Sequence, residues 1–287
     1  VTALVLGAAL SALAGTVLGL LGGGGAALTV PILLYVVGLQ PREAMATSLV
    51  VVGVTSAVAA ASHARAGRVR FREGLLFGGT GMLGAAAGAR VGKDVPPTVL
   101  LVMLSGLMVA MALAMLRPRG AAAPRVPGTP RVGRALAAGF GVGTLTGLLG
   151  TGGGFLVVPA LSLLGGFGMA EAVATSLFVI SLNSVAGLGA ALVSGTHVAP
   201  GLASGMALAS VVGSLAGARL GRGLSADTLR LAFAAFLVLL GAAIAVRELS
   251  AVTPAVPLAL GTAAALAAVG GAAWRMRRGP LPGVPGP

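Results

Sequence analysis

Two glycine clusters are the stretches of this sequence best suited to chemistry: "GLLGGGGAALTVP" (19–31) and "GLLGTGGGFLVVP" (147–159). Aligned at an offset of 128, nine of their thirteen positions agree. Gly22, Gly23, Gly24 and Gly25 in the first copy, and Gly150, Thr151, Gly152, Gly153 and Gly154 in the second, leave an almost bare backbone. The chemistry this suits is anion binding. A break in a helix frees N–H groups at the start of the next helical segment, and that end carries a partial positive charge. Glycine lets an anion approach those groups without side-chain interference. A helix that only spans gains nothing from such residues, each of which weakens it by roughly 1 kcal/mol relative to alanine. Neither cluster is followed by Lys-Ser/Thr, so neither is a Walker-type phosphate loop. The competing role is close helix packing, which most of the chain's 48 glycines must serve.

Few other polar residues accompany the clusters. Thr47-Ser48 and Thr175-Ser176 fall about one turn into apolar segments, and Asn183, the only asparagine, follows two turns after the second pair. Hydroxyls and amides donate hydrogen bonds without the cost of a buried charge, which suits reversible anion binding. Their alternative use is to bond their own helix backbone or to tie helices together. Glu43 and Glu171 sit where helices begin, a placement favoured by the helix dipole. Arg90 and Arg219 lie near helix ends and reach the interface. His63 and His197 flank loops. All six Asp and Glu fall in loops or at helix ends, a poor arrangement for acid–base catalysis at depth. No His/carboxylate cluster has metal-ligand spacing, and no motif calls for a cofactor.

The elements that must position these residues are membrane helices. The 287 residues are 57% hydrophobic and 9% charged, with a mean hydropathy of +1.04; a soluble domain carries about 25% charged residues. Apolar stretches recur at 2–21, 44–62, 74–89, 97–116, 135–149, 172–193, 201–218, 229–246 and 255–273, most near the ~20 residues that span a bilayer. Residues 1–15 faintly resemble a signal peptide but lack its basic start, and the expectation is a retained first helix. The net charge of +13 comes without an aromatic stacking platform, so nucleic acid is rejected in favour of cytoplasmic loop charge. With no cysteine, disulfides and thiolate chemistry are excluded.

The chain is a duplication. "EAMATSL" (43–49) matches "EAVATSL" (171–177) at six of seven positions, and "GAAAGARVG" (84–92) meets "GSLAGARLG" (213–221) at an offset of 129. This gives a first transmembrane repeat over 1–117, a cytoplasmic linker over 118–131, a second repeat over 132–247, and an additional C-terminal helix over 254–274. The loop "HARAGRVRFRE" (63–73) carries four arginines, whereas its counterpart "SGTHVAPG" (194–201) has none. Matched loops of different charge belong on opposite sides of the membrane. If each glycine cluster turns its segment back, fifteen of the nineteen cations face the cytoplasm. The expected fold is therefore an all-α polytopic membrane protein of two inverted-topology repeats with Gly-broken half-helices, N-terminus outside and C-terminus inside. Inverted repeats broken at matching glycines point to a transporter's midplane site.

Those residues resemble the TauE/SafE sulfite exporter family, also called TSUP, over nearly all of 1–247. The resemblance rests on the two glycine-to-proline motifs and the two "EA-ATSL" motifs. It implies an inner-membrane secondary carrier, by expectation an exporter, for small sulfur-containing anions such as sulfite, thiosulfate or organosulfonates. The implied partners are the anion, membrane lipids and a coupling ion such as the proton. An intramembrane enzyme acting on a lipid pyrophosphate and a passive anion channel are the alternatives.

Overall fold

A computed structural model describes residues 2–23, 25–92, 95, 97–116, 131–149, 154–193 and 195–252. Every regular element among them is helical: α1 (Thr2–Leu21), α2 (Ala26–Pro31), α3 (Pro41–Arg65), α4 (Phe71–Gly92), α5 (Pro97–Leu116), α6 (Arg131–Leu149), α7 (Gly154–Leu163), α8 (Met169–Val193), α9 (Pro200–Arg222) and α10 (Ala226–Val252). The linker (up to residue 130) and the expected helix over 254–274 lie outside the described residues. Among the described residues four helices are long and apolar enough to cross a membrane, over Arg42–Arg65, Met169–Val193, Pro200–Gly221 and Ala226–Val246. Shorter apolar helical stretches cover Val5–Leu21, Val102–Leu116, Leu136–Thr146 and Gly154–Leu163.

Helix boundaries follow local chemistry. Pro41 and Pro200 open α3 and α9, where a missing N–H costs nothing. α1 stops at Leu21 because Gly22 turns into the left-handed region (φ 79°), its N–H closing on the Leu18 carbonyl at 2.7 Å. After Pro31 the helix widens into a π-helical stretch, Ile32–Val36, with Val37 N–H bonded to the Ile32 carbonyl at 3.1 Å. Proline lacks the N–H that α-helical bonding requires, and a π-bulge is one way to absorb the loss.

The two repeats turn at matched glycines. Gly38 and Gly166 have φ 82° and 68°, and Gly67 and Gly195 have 66° and 77°. Both pairs keep the 128-residue offset, whereas α4 and α9 begin 129 residues apart, at Phe71 and Pro200. The one-residue insertion therefore lies in the loop before α9.

The helices form two compact units. In one, α5 packs on α10: a Cβ on Gly241 would lie 3.2 Å from the Met108 Cβ and from the Ser105 carbonyl oxygen. The other holds α1–α4 and α6–α9. There α1 packs on α9, α4 on α6, α3 on α8 and α2 on α7. This pairing is reciprocal. Gly15 of α1 faces the Ser210 backbone of α9, and its counterpart Gly143 of α6 faces the Gly81 backbone of α4. Gly213 against Ala12 is repeated as Gly84 against Phe140. At these positions glycine lets two backbones touch, the packing expected of small residues in membranes. Gly217, against Thr16, belongs to the same seam.

Candidate functional site

The turn between α1 and α2 meets the start of α7. Gly23 lies against the Gly154 carbonyl, and a Cβ on Gly154 would sit 3.1 Å from the Ala26 Cβ, 3.4 Å from Ile180 Cδ1 and 3.5 Å from the Gly23 carbonyl oxygen. The helical run that begins at Ala26 and the helix that begins at Gly154 thus start beside each other, one from each repeat. Ser176 of α8 closes one flank: its hydroxyl lies 2.8 Å from both the Gly22 and Val173 carbonyl oxygens. A Cβ on Gly22 would come within 2.8 Å of that hydroxyl and of the Val173 Cα. None of these residues carries a charge, so the electrostatics here are those of backbone dipoles and a hydroxyl.

The remaining site candidates divide by surroundings. Gly25 faces α1, a Cβ there lying 2.7 Å from Leu18, so its missing side chain closes the α1–α2 turn. Ser48 donates to its own helix at the Met45 carbonyl, 2.7 Å away. Thr175 is wholly buried and accepts a hydrogen bond from the Arg70 backbone N–H at 3.1 Å. Thr47, its repeat counterpart, is equally buried, and its hydroxyl has no partner among the described residues. The Asn183 amide oxygen is also buried without a partner, near the α4 backbone at Gly78. An unsatisfied buried acceptor costs about 1–3 kcal/mol. A flip of the terminal amide exchanges its oxygen and its NH2 group in that position. Gly24, Gly150, Thr151, Gly152 and Gly153 lie outside the described residues.

One contact has no local signature in the sequence. Glu171, in the first turn of α8, forms an ion pair with Arg70 from the other repeat, with Oε1 at 2.7 Å from Nη2 and 3.2 Å from Nε. The hydrogen bond to Glu171, and then its charge, hold the Arg70 guanidinium above its usual range. Phe71 meets Phe178 edge to face with ring centroids 5.1 Å apart. Gly74 lets α4 close onto α8; a Cβ there would lie 2.9 Å from Phe178 Cδ1 and 3.1 Å from Thr175 Cγ2. Together these contacts clasp the α3–α4 loop to α8. At the matching positions of the other repeat stand Glu43, Thr47, Val50 and the cation-free loop ending at Ala199. The arginine-rich loop was the available signal; its partner, 101 residues away, was not.

A family model described as sulfite exporter TauE/SafE matches residues 7–244. A probable membrane transporter protein of Xylella fastidiosa (strain Temecula1 / ATCC 700964) is 40% identical over 173 residues, spanning 58% of this chain and 66% of the relative, just under two thirds of its length. The probable membrane transporter protein YunE of Bacillus subtilis (strain 168) is 31% identical over 258 residues, 81% of this chain and 93% of the relative. The y4hK protein of Sinorhizobium fredii (strain NBRC 101917 / NGR234), also named a probable membrane transporter protein, is 30% identical over 209 residues, 71% of this chain and 83% of the relative. No solved structure matches. These relatives carry transporter names rather than enzyme names, and with the apolar spans they identify a multi-pass membrane protein.

Proposed function

The chain belongs to the sulfite exporter TauE/SafE family, and from that premise we propose that it is a secondary transporter that exports small sulfur-containing anions across the inner membrane by alternating access. The observation that carries this reading is the meeting of the two glycine-led helix starts at Gly23 and Gly154, flanked by Gly22 and Ser176. Backbone N–H groups at such starts hold an anion without a fixed cation, so release stays easy. Each helix end contributes about 0.3–2 kcal/mol and each hydrogen bond about 1 kcal/mol, which together give micromolar to millimolar affinity. Binding of sulfite, sulfate, thiosulfate, sulfoacetate and phosphate to the purified protein tests it. Sulfur oxyanions bind in that range; a protein that binds none of them overturns the reading.

The Asn183 amide, two turns beyond Ser176 on α8, completes the proposed site. Asn183→Ala weakens thiosulfate binding roughly fivefold, the loss of one hydrogen bond of about 1 kcal/mol. Ser48→Ala, which removes only a bond to the helix's own backbone, has a smaller effect. Equal affinities for the Asn183→Ala protein and its parent in calorimetry place the amide outside the site.

Alternating access in this reading uses inverted repeats, with the arginine-rich loop cytoplasmic and the N-terminus outside. The reciprocal exchange of helix partners, α1 with α9 and α6 with α4, supports it, as does the ion pair joining Arg70 to Glu171 on what the charge split makes one face. A single cysteine replacing Arg68 labels with an impermeant reagent from the cytoplasmic side, and one replacing Thr196 from the other side. Labelling of both from one side rules out the inverted arrangement.

A further inference from the structure

The two glycine-seamed helix pairs are built alike but begin differently. Gly139 of α6 faces the Phe77 backbone of α4, and Gly143 faces the Gly81 backbone, so four residues along one helix match four along the other. α4 and α6 therefore run parallel, and their starts at Phe71 and Arg131 come to the same membrane surface. Arg65, Arg68, Arg70 and Arg72 lead into α4, and Arg131 and Arg134 stand in the first turn of α6. α1 and α9 pair in the same way, Gly213 against Ala12 and Gly217 against Thr16. Yet neither residues 2–12 nor residues 194–204 contain a Lys or Arg. One pair begins at a dense basic corner and its counterpart does not.

We propose that this corner binds an anionic phospholipid of the surrounding bilayer, its headgroup phosphate held by Arg68 and Arg72 and its acyl chains lying along the outer face of α4. The positive-inside tendency asks only that cations lie on one side of the membrane, not that six of them gather at two adjoining helix starts. Helix stability runs against the arrangement, because a cation in a first turn meets the positive end of the dipole. Nor do local carboxylates account for it. Glu171 takes Arg70, and Glu73 is the one other acidic residue on the elements packed here. Arg65 and Arg72 are exposed and Arg68 is half-buried, and among the described residues none of the three is in an ion pair. Clustered basic residues at the end of a membrane helix attract anionic headgroups, and guanidinium groups grip phosphate oxygens through paired N–H bonds.

The surface beside the arginines selects a lipid over other anions. Phe71 and Leu75, on either side of Arg72 along α4, are 54% and 59% exposed, and Leu83 two turns further is 68% exposed. A free oxyanion or an acidic polypeptide gains nothing from an apolar face below the cations. A phospholipid, with phosphate above and acyl chains below, uses both. The site does not depend on the anion reading above, because its charge and its apolar face belong to α4 and the loop before it, whatever the helix breaks bind.

The test places the full chain in nanodiscs of equal amounts of phosphatidylglycerol and phosphatidylcholine and releases it into a native mass spectrometer. The parent emerges with phosphatidylglycerol bound and without phosphatidylcholine. An arginine at an anionic membrane surface contributes about fivefold in affinity, so Arg72→Gln lowers retention about fivefold and Arg68→Gln with Arg72→Gln roughly 25-fold. Arg72→Lys keeps the charge without the paired fork and falls between parent and Arg72→Gln. Arg90→Gln removes the same charge at the far end of α4 and retains the lipid like the parent. Melting curves that superimpose on the parent's show that the variants fold. Equal retention of the two lipids, or an Arg68→Gln, Arg72→Gln protein that keeps phosphatidylglycerol, overturns the proposal. So does an equal loss in Arg90→Gln, which reduces the attraction to net charge. Displacement of the lipid by thiosulfate also overturns it and assigns the arginines to the free anion. A parent that retains phosphatidylglycerol but binds no sulfur anion sinks the anion reading and leaves the lipid site standing.

Discussion

Gly23→Leu is expected to abolish anion transport while the protein still folds. The Cβ of any larger residue at this point runs into the Gly154 carbonyl, in the space between the two helix starts. Overpacking of that kind costs about 1–3 kcal/mol, roughly 5- to 150-fold in an equilibrium, and a leucine adds bulk where the proposed site needs an anion to approach. The measurement is thiosulfate uptake into proteoliposomes, paired with thermal melting. Two comparisons separate a site from a packing element. Gly79 of α4 has open space where its Cβ would be, so Gly79→Ala leaves transport intact and raises stability by up to about 1 kcal/mol. Gly143 of α6 touches the Gly81 backbone, so Gly143→Ala lowers the melting temperature first. A Gly23→Leu protein that transports like its parent relegates the break to packing. So does one that only melts earlier.

The contrast between Gly23 and Gly143 marks what the sequence makes legible and what it does not. The 128-residue offset predicts that Gly15 and Gly143 do the same thing, and they do, each against the backbone of a helix from the other repeat. It does not say which helix, because an internal repeat relates positions to one another and not to their neighbours. Helix starts at Pro41 and Pro200 and the stop after Leu21 are local events, written in proline and glycine chemistry. Contacts made across the repeats have no such local signal. Gly25 shows the limit within a single motif: it belongs to the same cluster as Gly23, yet it faces α1 of its own hairpin. Ser48 and Ser176 are repeat counterparts as well. Among the described residues one bonds its own helix at Met45, whereas the other reaches the Gly22 carbonyl.

Asymmetry between counterparts is also what would distinguish the two faces of the proposed inverted arrangement. Glu171 has Arg70, whereas the loop that corresponds to Arg70's in the second repeat carries no Lys or Arg for the counterpart Glu43. The clasp at Arg70 is polar and partly open to solvent, the two side chains being 52% and 34% exposed. Such a contact is screened by salt and breaks readily, which suits a gate better than a permanent joint.

Reversing one charge of the clasp is therefore expected to change which side of the protein is open. Arg70→Glu sets two carboxylates against each other where a 2.7 Å hydrogen-bonded pair stood. Repulsion pushes the α3–α4 loop from α8 and loosens the bond from the Arg70 backbone to Thr175. Because the chain has no cysteine, Thr175→Cys can report this against a silent background. Thr175 is wholly buried in the clasped state. Labelling at this position from the Arg70 side rises about tenfold in the Arg70→Glu background, within the range typical of conformational coupling, and transport falls as the population shifts. Glu171→Arg added to Arg70→Glu restores the pairing with its sign reversed, and with it both labelling and transport. High salt narrows the gap between parent and variant, since the pair is solvent-exposed. Glu43→Gln, at the matching point of the unclasped face, leaves labelling unchanged. Were Arg70→Glu to label like its parent, or the double reversal to fail to restore it, the pair would be a surface contact with no part in gating.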